Sequence, residues 1–278
     1  MHPIANHLIQ LQELLLIRDE QKVARKGKYL EELDKSIKDM TDKLPDDIRA
    51  LFGKLHKKDQ IVIAPISNGI CSVCGMKLPI SLVQAVRIGK QIHGCPNCAR
   101  MLYYPESAAR RISKATSRVG PRKIGISRFS SLSLMIPSLE SDNADGVIRE
   151  LAYKMESEGF VDKADNLVEE ALRREAIAST AVDHGLAFPH VRGVEGGGLT
   201  LALGIHRKGI QFGRADKKVT KIFFFMIIPT AASAFYLKLL AGLAETFMNA
   251  DSRKAITAEK DPEKLWKALC RVTRTNIK

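Results

Sequence analysis

The sequence predicts an α/β layered domain in its C-terminal half, preceded by a helical coiled-coil-like segment and a small four-cysteine ribbon. Three observations predict this order. Apolar residues at helical spacing fill the first 55 positions, two Cys-x-x-Cys pairs follow, and beyond residue 131 strand-like apolar runs are interspersed with amphipathic helices. The expected divisions are a helical segment over 1–60, a ribbon over 61–105, a basic flexible linker over 106–130 and the α/β domain over 131–278. A chain of 278 residues suits two domains at ~100–200 residues each.

The net charge of +13 is concentrated rather than spread. Residues 51–130 hold fourteen Lys and Arg against only Asp59 and Glu106. Such a surface attracts polyanions or acidic partners, so nucleic acid is one candidate partner for 51–130, and a solvated linker is the other reading. The most apolar run, Ile222 to Ile228, is about a third of the ~20 residues a bilayer requires and reads as a buried central strand. No membrane span is expected. The first residues lack a basic region followed by an apolar core, so the expected compartment is the cytoplasm.

Taken in order, Ile4, Leu8, Leu11 and Leu15 form one apolar seam, and Leu30, Leu33, Ile37, Met40 and Leu44 form another. The charged stretch from Arg18 to Lys28, with Gly27, is either a hairpin turn or the polar middle of one long helix. The seams serve an intramolecular hairpin or a homodimer equally well. After Pro45 a third helix carries Ile48, Leu51, Phe52 and Leu55 on one face. Ile61 to Ile66 reads as a short strand.

Cys71, Cys74, Cys95 and Cys98 then supply two thiolate knuckles, with Gly75 and Pro96 as turn residues. This spacing matches a tetrahedral Zn2+ site, and four thiolates leave the ion no open position, so the zinc is expected to be structural. Disulfides are the rival pairing, disfavoured in a reducing compartment. His7 and His93 are surplus to a saturated ion. Tyr103 and Tyr104 either stack on bases or pack the ribbon. Cys270 stands alone on a C-terminal helix with Leu265, Trp266 and Leu269, where core packing is its expected role.

In the second half, Leu132 to Ile136 reads as a strand or docking segment. Asp145 to Gly159 is a helix with Val147, Ile148, Leu151, Ala152 and Met155 inward, and Ala164 to Glu175 is another with Leu167, Val168, Ala171 and Leu172 inward. Leu199 to Ile205 and Val219 to Ile228 are strands. Ala234 to Met248 and Pro262 to Val272 are helices.

The chemistry-bearing stretch is Gly185-Leu186-Ala187-Phe188-Pro189-His190. A short apolar run ends in a rigid proline, so the imidazole is aimed from the end of a buried strand by a backbone with little freedom. Arg174 offers a fork of donors and Thr180 a hydroxyl, groups that suit phosphoryl oxygens.

Arg174-Glu175, Ser179-Thr180 and Gly185-x-Ala187-x-Pro189-His190, with sixteen positions from Arg174 to His190, resemble the phosphohistidine site of fructose/mannitol-type enzyme IIA domains of the bacterial sugar phosphotransferase system, including the nitrogen-regulatory members. The resemblance runs from about Leu132 to the C-terminus and implies a mixed sheet with helices on both faces. It implies that His190 accepts a phosphoryl group from the histidine phosphocarrier protein, with Arg174, Thr180 and Ser179 on the oxygens. The assignment depends on an imidazole reachable by an incoming donor at a pocket mouth, beside the guanidinium. The family places a second His, in the pattern His-Leu-x-x-Leu, at the start of the following helix, where this chain has Tyr236-Leu-Lys-Leu-Leu240. The first 105 residues resemble bacterial coiled-coil plus C4 zinc-ribbon proteins. Three functions follow from these likenesses: a phosphohistidine-carrying regulatory protein that signals to a target, a sugar-transport component that passes phosphate to an enzyme IIB, and a zinc-ribbon regulator with a silent enzyme IIA domain.

Overall fold

In a computed structural model of the chain, residues 3–24, 30–104, 124–194, 198–213, 219–229 and 233–277 are described, and the apolar spacings resolve into two units, Met1–Ala109 and Arg110–Lys278. Each has its own buried clusters.

The first unit opens with α1 (Pro3–Ala24) and α2 (Leu30–Asp42), whose seams meet each other. Leu8, Leu11 and Leu15 share a core with Ile37 and Leu44, and the His7 Nε2 lies 2.7 Å from the Met40 carbonyl. The seams are thus filled within the chain, as a pair of packed helices. Residues 25–29, where the break falls, lie outside the described residues. α3 (Asp46–His56) follows Pro45 and buries Phe52 and Leu55. Leu51, expected on that face, is 40 % exposed. Ile48 packs partly buried against the same core, so the buried stripe of α3 is narrower than the four apolar positions.

Then come β1 (Ile63–Ser67), β2 (Ile70–Cys71), α4 (Ile80–Ile88), β3 (His93–Gly94) and β4 (Met101–Tyr103), in a sheet of order β2-β1-β4-β3. β1 and β4 are parallel and the outer pairs antiparallel. Gln12 on α1 accepts from the Val62 and Ile63 amides at 2.6 and 2.9 Å and donates to the Ile63 carbonyl at 3.2 Å. A helix side chain therefore supplies the hydrogen bonds that a neighbouring strand would give.

The second unit begins earlier than residue 131. Most of the expected linker, 105–123, lies outside the described residues, but Gly125–Arg128 is a 3-10 turn whose Ile126 is 3 % exposed within the domain core. Burial of one isoleucine outweighs the basic composition around it. β5 (Met135–Ile136), α5 (Ala144–Ser157), α6 (Ala164–Ile177), β6 (Ala181–Val182), β7 (Leu186–Ala187), β8 (His190–Val194), β9 (Thr200–Gln211), β10 (Val219–Pro229), α7 (Ser233–Met248), α8 (Ala250–Thr257) and α9 (Pro262–Thr273) complete it.

The sheet runs β5-β9-β10-β7-β6, with β8 also paired to β10. It is mixed: β9 and β10 are antiparallel, whereas β7 and β8 run parallel to β10. Phe223 to Ile228 are all fully buried, and successive residues point to opposite faces, so helices must cover both sides. That is the central strand expected from the apolar run. α8 was not expected, and Trp266 and Cys270 pack on the core from α9 as expected.

Candidate phosphoryl and metal sites

His190 opens β8, and its backbone setting is locked from three directions. Gly185 adopts φ +73, where an added Cβ would sit 3.1 Å from the Val219 carbonyl oxygen. The Phe188 amide donates to the Thr180 carbonyl at 3.1 Å, and the Met226 amide donates to the Pro189 carbonyl at 3.0 Å. The His190 Nδ1 stands 2.9 Å from the Phe188 carbonyl. A carbonyl can only accept, so Nδ1 carries the proton and the ring's lone pair is at Nε2.

The corner after α6 holds the other expected residues. Arg174, in the last turn, is 7 % exposed and donates from Nη1 to the Ala178 carbonyl at 2.7 Å. Glu175 accepts from the Thr180 amide at 2.9 and 3.0 Å and from the Thr180 hydroxyl at 2.6 Å. The Thr180 proton expected for a phosphoryl oxygen is therefore held by a carboxylate, which binds it more strongly than a neutral acceptor would. Ser179 Oγ accepts from the Ala181 amide at 3.2 Å. Thr180 connects this corner to His190 through Phe188, and α6 packs against β8.

Tyr236, from the start of α7, is fully buried against the imidazole. Its Oη is 3.4 Å from Nδ1, the nitrogen already engaged by Phe188, and the ring centroids are 5.2 Å apart. The expectation of a ring at an open mouth is contradicted: His190 is 1 % exposed. A sequence can place an imidazole at a strand end, but cover by the neighbouring Tyr236 is a tertiary effect. Glu175, read in the sequence as part of the motif but given no role, organises Thr180; Arg192, which the sequence reading missed, places its Cζ 4.6 Å from the centroid of the Tyr236 ring. The period-two alternation of β8, which puts Arg192 on the side of His190, is the signal that could have found it.

In the first unit, Cys71 ends β2 and Cys74 follows in a turn closed by the Gly75 amide donating to the Cys71 carbonyl at 2.8 Å. Cys95 and Cys98 sit between β3 and β4, with the Ala99 amide donating to the Cys95 carbonyl at 2.9 Å. All four Sγ atoms lie within 4.8 Å of one another, with 3.9 Å between Cys71 and Cys98 and 3.7 Å between Cys74 and Cys95. Zn–S bonds of ~2.3 Å in a tetrahedron put thiolates roughly 3.8 Å apart, so the donor set fits Zn2+. These spacings are far longer than a disulfide bond of ~2.05 Å.

Burial pushes the Cys71 thiol up to about 12. Burial also opposes ionisation of Cys74, but the Met76 amide, the Asn97 side chain and the neighbouring cysteines outweigh it and bring that thiol down to about 6. His93 pairs with Leu102 along β3 and His7 is held at Met40, so neither belongs to the cluster. Lys54, Lys57, Lys58, Lys77, Arg87 and Lys90 are exposed, whereas Arg100 donates to Asp59 and to the Ile61 carbonyl. Tyr103 packs on the core of this unit, and Arg87 covers the Tyr104 ring at 4.6 Å.

Among the described residues no helix is long and apolar enough to cross a membrane. Comparison with known proteins matches residues 130–271 to the family described as phosphoenolpyruvate-dependent sugar phosphotransferase system, EIIA 2, and residues 70–102 to the C4-type zinc ribbon domain. A fructose-specific EIIA component of the phosphotransferase system from Haloferax volcanii is 29 % identical over 149 residues, covering 53 % of this chain and 96 % of that protein. A nitrogen regulatory protein from Bradyrhizobium diazoefficiens is 28 % identical over 139 residues, covering 49 % and 88 %. The crystal structure of the nitrogen regulatory protein IIA-Ntr from Neisseria meningitidis aligns with a TM-score of 0.47 at 23 % identity, covering 51 % of this chain and 97 % of that one.

Proposed function

Because the chain belongs, through residues 130–271, to the EIIA 2 family of the phosphoenolpyruvate-dependent sugar phosphotransferase system, we propose that it is a phosphoryl-accepting regulatory protein, phosphorylated on His190 by the histidine phosphocarrier protein. The observation that carries this reading is the Nδ1 contact with the Phe188 carbonyl, which leaves the lone pair of a neutral imidazole on Nε2. The donor's P–N bond breaks with its electron pair returning to the donor ring, and Nε2 forms the new bond. Nδ1 keeps its proton on Phe188 throughout. The transition state is loose and its charge lies on three oxygens, so the protein contributes alignment and donors, Arg174 foremost.

Burial of His190 adds a requirement: the ring must become exposed before a donor ring can approach. Control of a target rather than sugar transport suits the chain because a zinc ribbon with a concentrated basic surface is joined to the EIIA domain, and up to two new negative charges at one site are enough to make or break an interface. Passing phosphate to an enzyme IIB is the transport alternative.

A second reading is a silent EIIA domain on a zinc-ribbon regulator that binds nucleic acid or protein. It draws on the 1 % exposure of His190, on Tyr236 in place of a histidine and on the exposed Lys54, Lys57, Lys58, Lys77, Arg87 and Lys90 of the first unit. One experiment separates the two. The full chain is incubated with phosphoenolpyruvate, enzyme I and the phosphocarrier; acid-labile phosphate on the wild type that is absent from His190→Ala supports the first reading. An unlabelled wild type, with binding to DNA or RNA that weakens as salt rises, supports the second.

A further inference from the structure

His190 and Arg192 leave β8 on the same side, and Tyr236 lies against both. Its hydroxyl is 3.4 Å from the imidazole Nδ1, while the Arg192 guanidinium carbon stands 4.6 Å from its ring centroid. The tyrosine is fully buried and Arg192 half-buried.

Three phosphoryl oxygens need partners. The Thr180 hydroxyl is committed to Glu175, and Arg174 gives one of its five N–H donors to the Ala178 carbonyl. Tyr236 can offer one neutral hydrogen bond and stays uncharged near neutral pH, its reference pKa being ~10. Arg192 brings a permanent cation, with planar donors that suit two oxygens at once, to the other side of that tyrosine.

We propose that Arg192 is the second cation of the phosphoryl site: it rests on Tyr236 while His190 is bare and turns to donate to the phosphoryl oxygens once Nε2 carries the group. This rests on the reading of His190 as the acceptor. Arg192 gains and loses no proton and makes no covalent bond; it exchanges a cation–π contact for charge-assisted hydrogen bonds. The contact with Tyr236 holds the guanidinium on the residue that lies against His190, which limits the entropy lost when the group arrives.

The test uses the full chain, labelled from phosphoenolpyruvate through enzyme I and the phosphocarrier, and reads the labelling rate and the lifetime of the phosphohistidine after the carrier is removed. With wild type labelled, Arg192→Gln is expected to label about tenfold more slowly or worse, the loss typical of one charge-assisted hydrogen bond, and Arg192→Lys to recover part of the rate. Thermal melting of each variant is recorded beside it. An Arg192→Gln protein that labels and decays like the wild type overturns the proposal while leaving the His190 reading intact. So does an Arg192→Lys protein as slow as the glutamine variant at an unchanged melting temperature, because charge would then play no part. A wild type that takes no label removes both. Should the variants fail to fold, NMR of the wild type decides: phosphorylation is expected to shift the Tyr236 ring protons as the guanidinium leaves, and unmoved resonances overturn the proposal.

Discussion

At the scale of single residues, the site is a chain of contacts from Glu175 through Thr180, Phe188 and His190 to Tyr236 and Arg192. Its first link is open to a direct check. Glu175→Ala removes a carboxylate that receives both donors of Thr180, and hydrogen bonds to a charged group contribute ~1.5–3 kcal/mol. The variant is therefore expected to melt several degrees below the wild type and to label more slowly, followed by calorimetry and by the phosphorylation assay. The motif from Arg174 to His190 was legible because proline, glycine and histidine declare a fixed backbone and a reactive ring in their order alone. What it did not disclose is who holds which proton. The Thr180 hydroxyl faces Glu175, and the imidazole lies under Tyr236, because those choices depend on neighbours brought together by the fold.

Elements were legible in proportion to their length and period. β10 declared itself through seven consecutive apolar residues, and α5 through five inward positions that are all buried. The two-residue strands β6 and β7 show no period to read, and α8 follows α7 after a single residue, so its start is marked only by the Asn249 cap. The cap of α9 gives a prediction at this scale. Asp261 accepts from the Glu263 and Lys264 amides at 3.0 Å each, so Asp261→Ala is expected to cost ~1 kcal/mol, measured by denaturant unfolding. In the core, Phe224→Ala removes a ring that stacks on Phe188 at 5.4 Å, next to the site. It is expected to cost ~3–5 kcal/mol and to loosen the strand end that presents His190, lowering both stability and labelling.

For the whole molecule, the sequence announced two kinds of module, and the structure adds how each is closed. The first unit unites the helices with the ribbon through Gln12 and a shared core, and its four thiols are spaced for one tetrahedral ion. One zinc per chain is expected by atomic absorption, and Cys98→Ser is expected to lose it and to destabilise the ribbon, whose small core depends on metal ligation. The second unit carries the family fold and the candidate acceptor. Its central claim, that Nε2 of His190 takes the phosphoryl group, is tested most directly by phosphorus–nitrogen correlation NMR on the phosphorylated, nitrogen-15-labelled chain. The account predicts one phosphorus coupled to Nε2 of His190 with the proton kept on Nδ1; phosphorus on Nδ1, on another residue, or nowhere in the chain would contradict it.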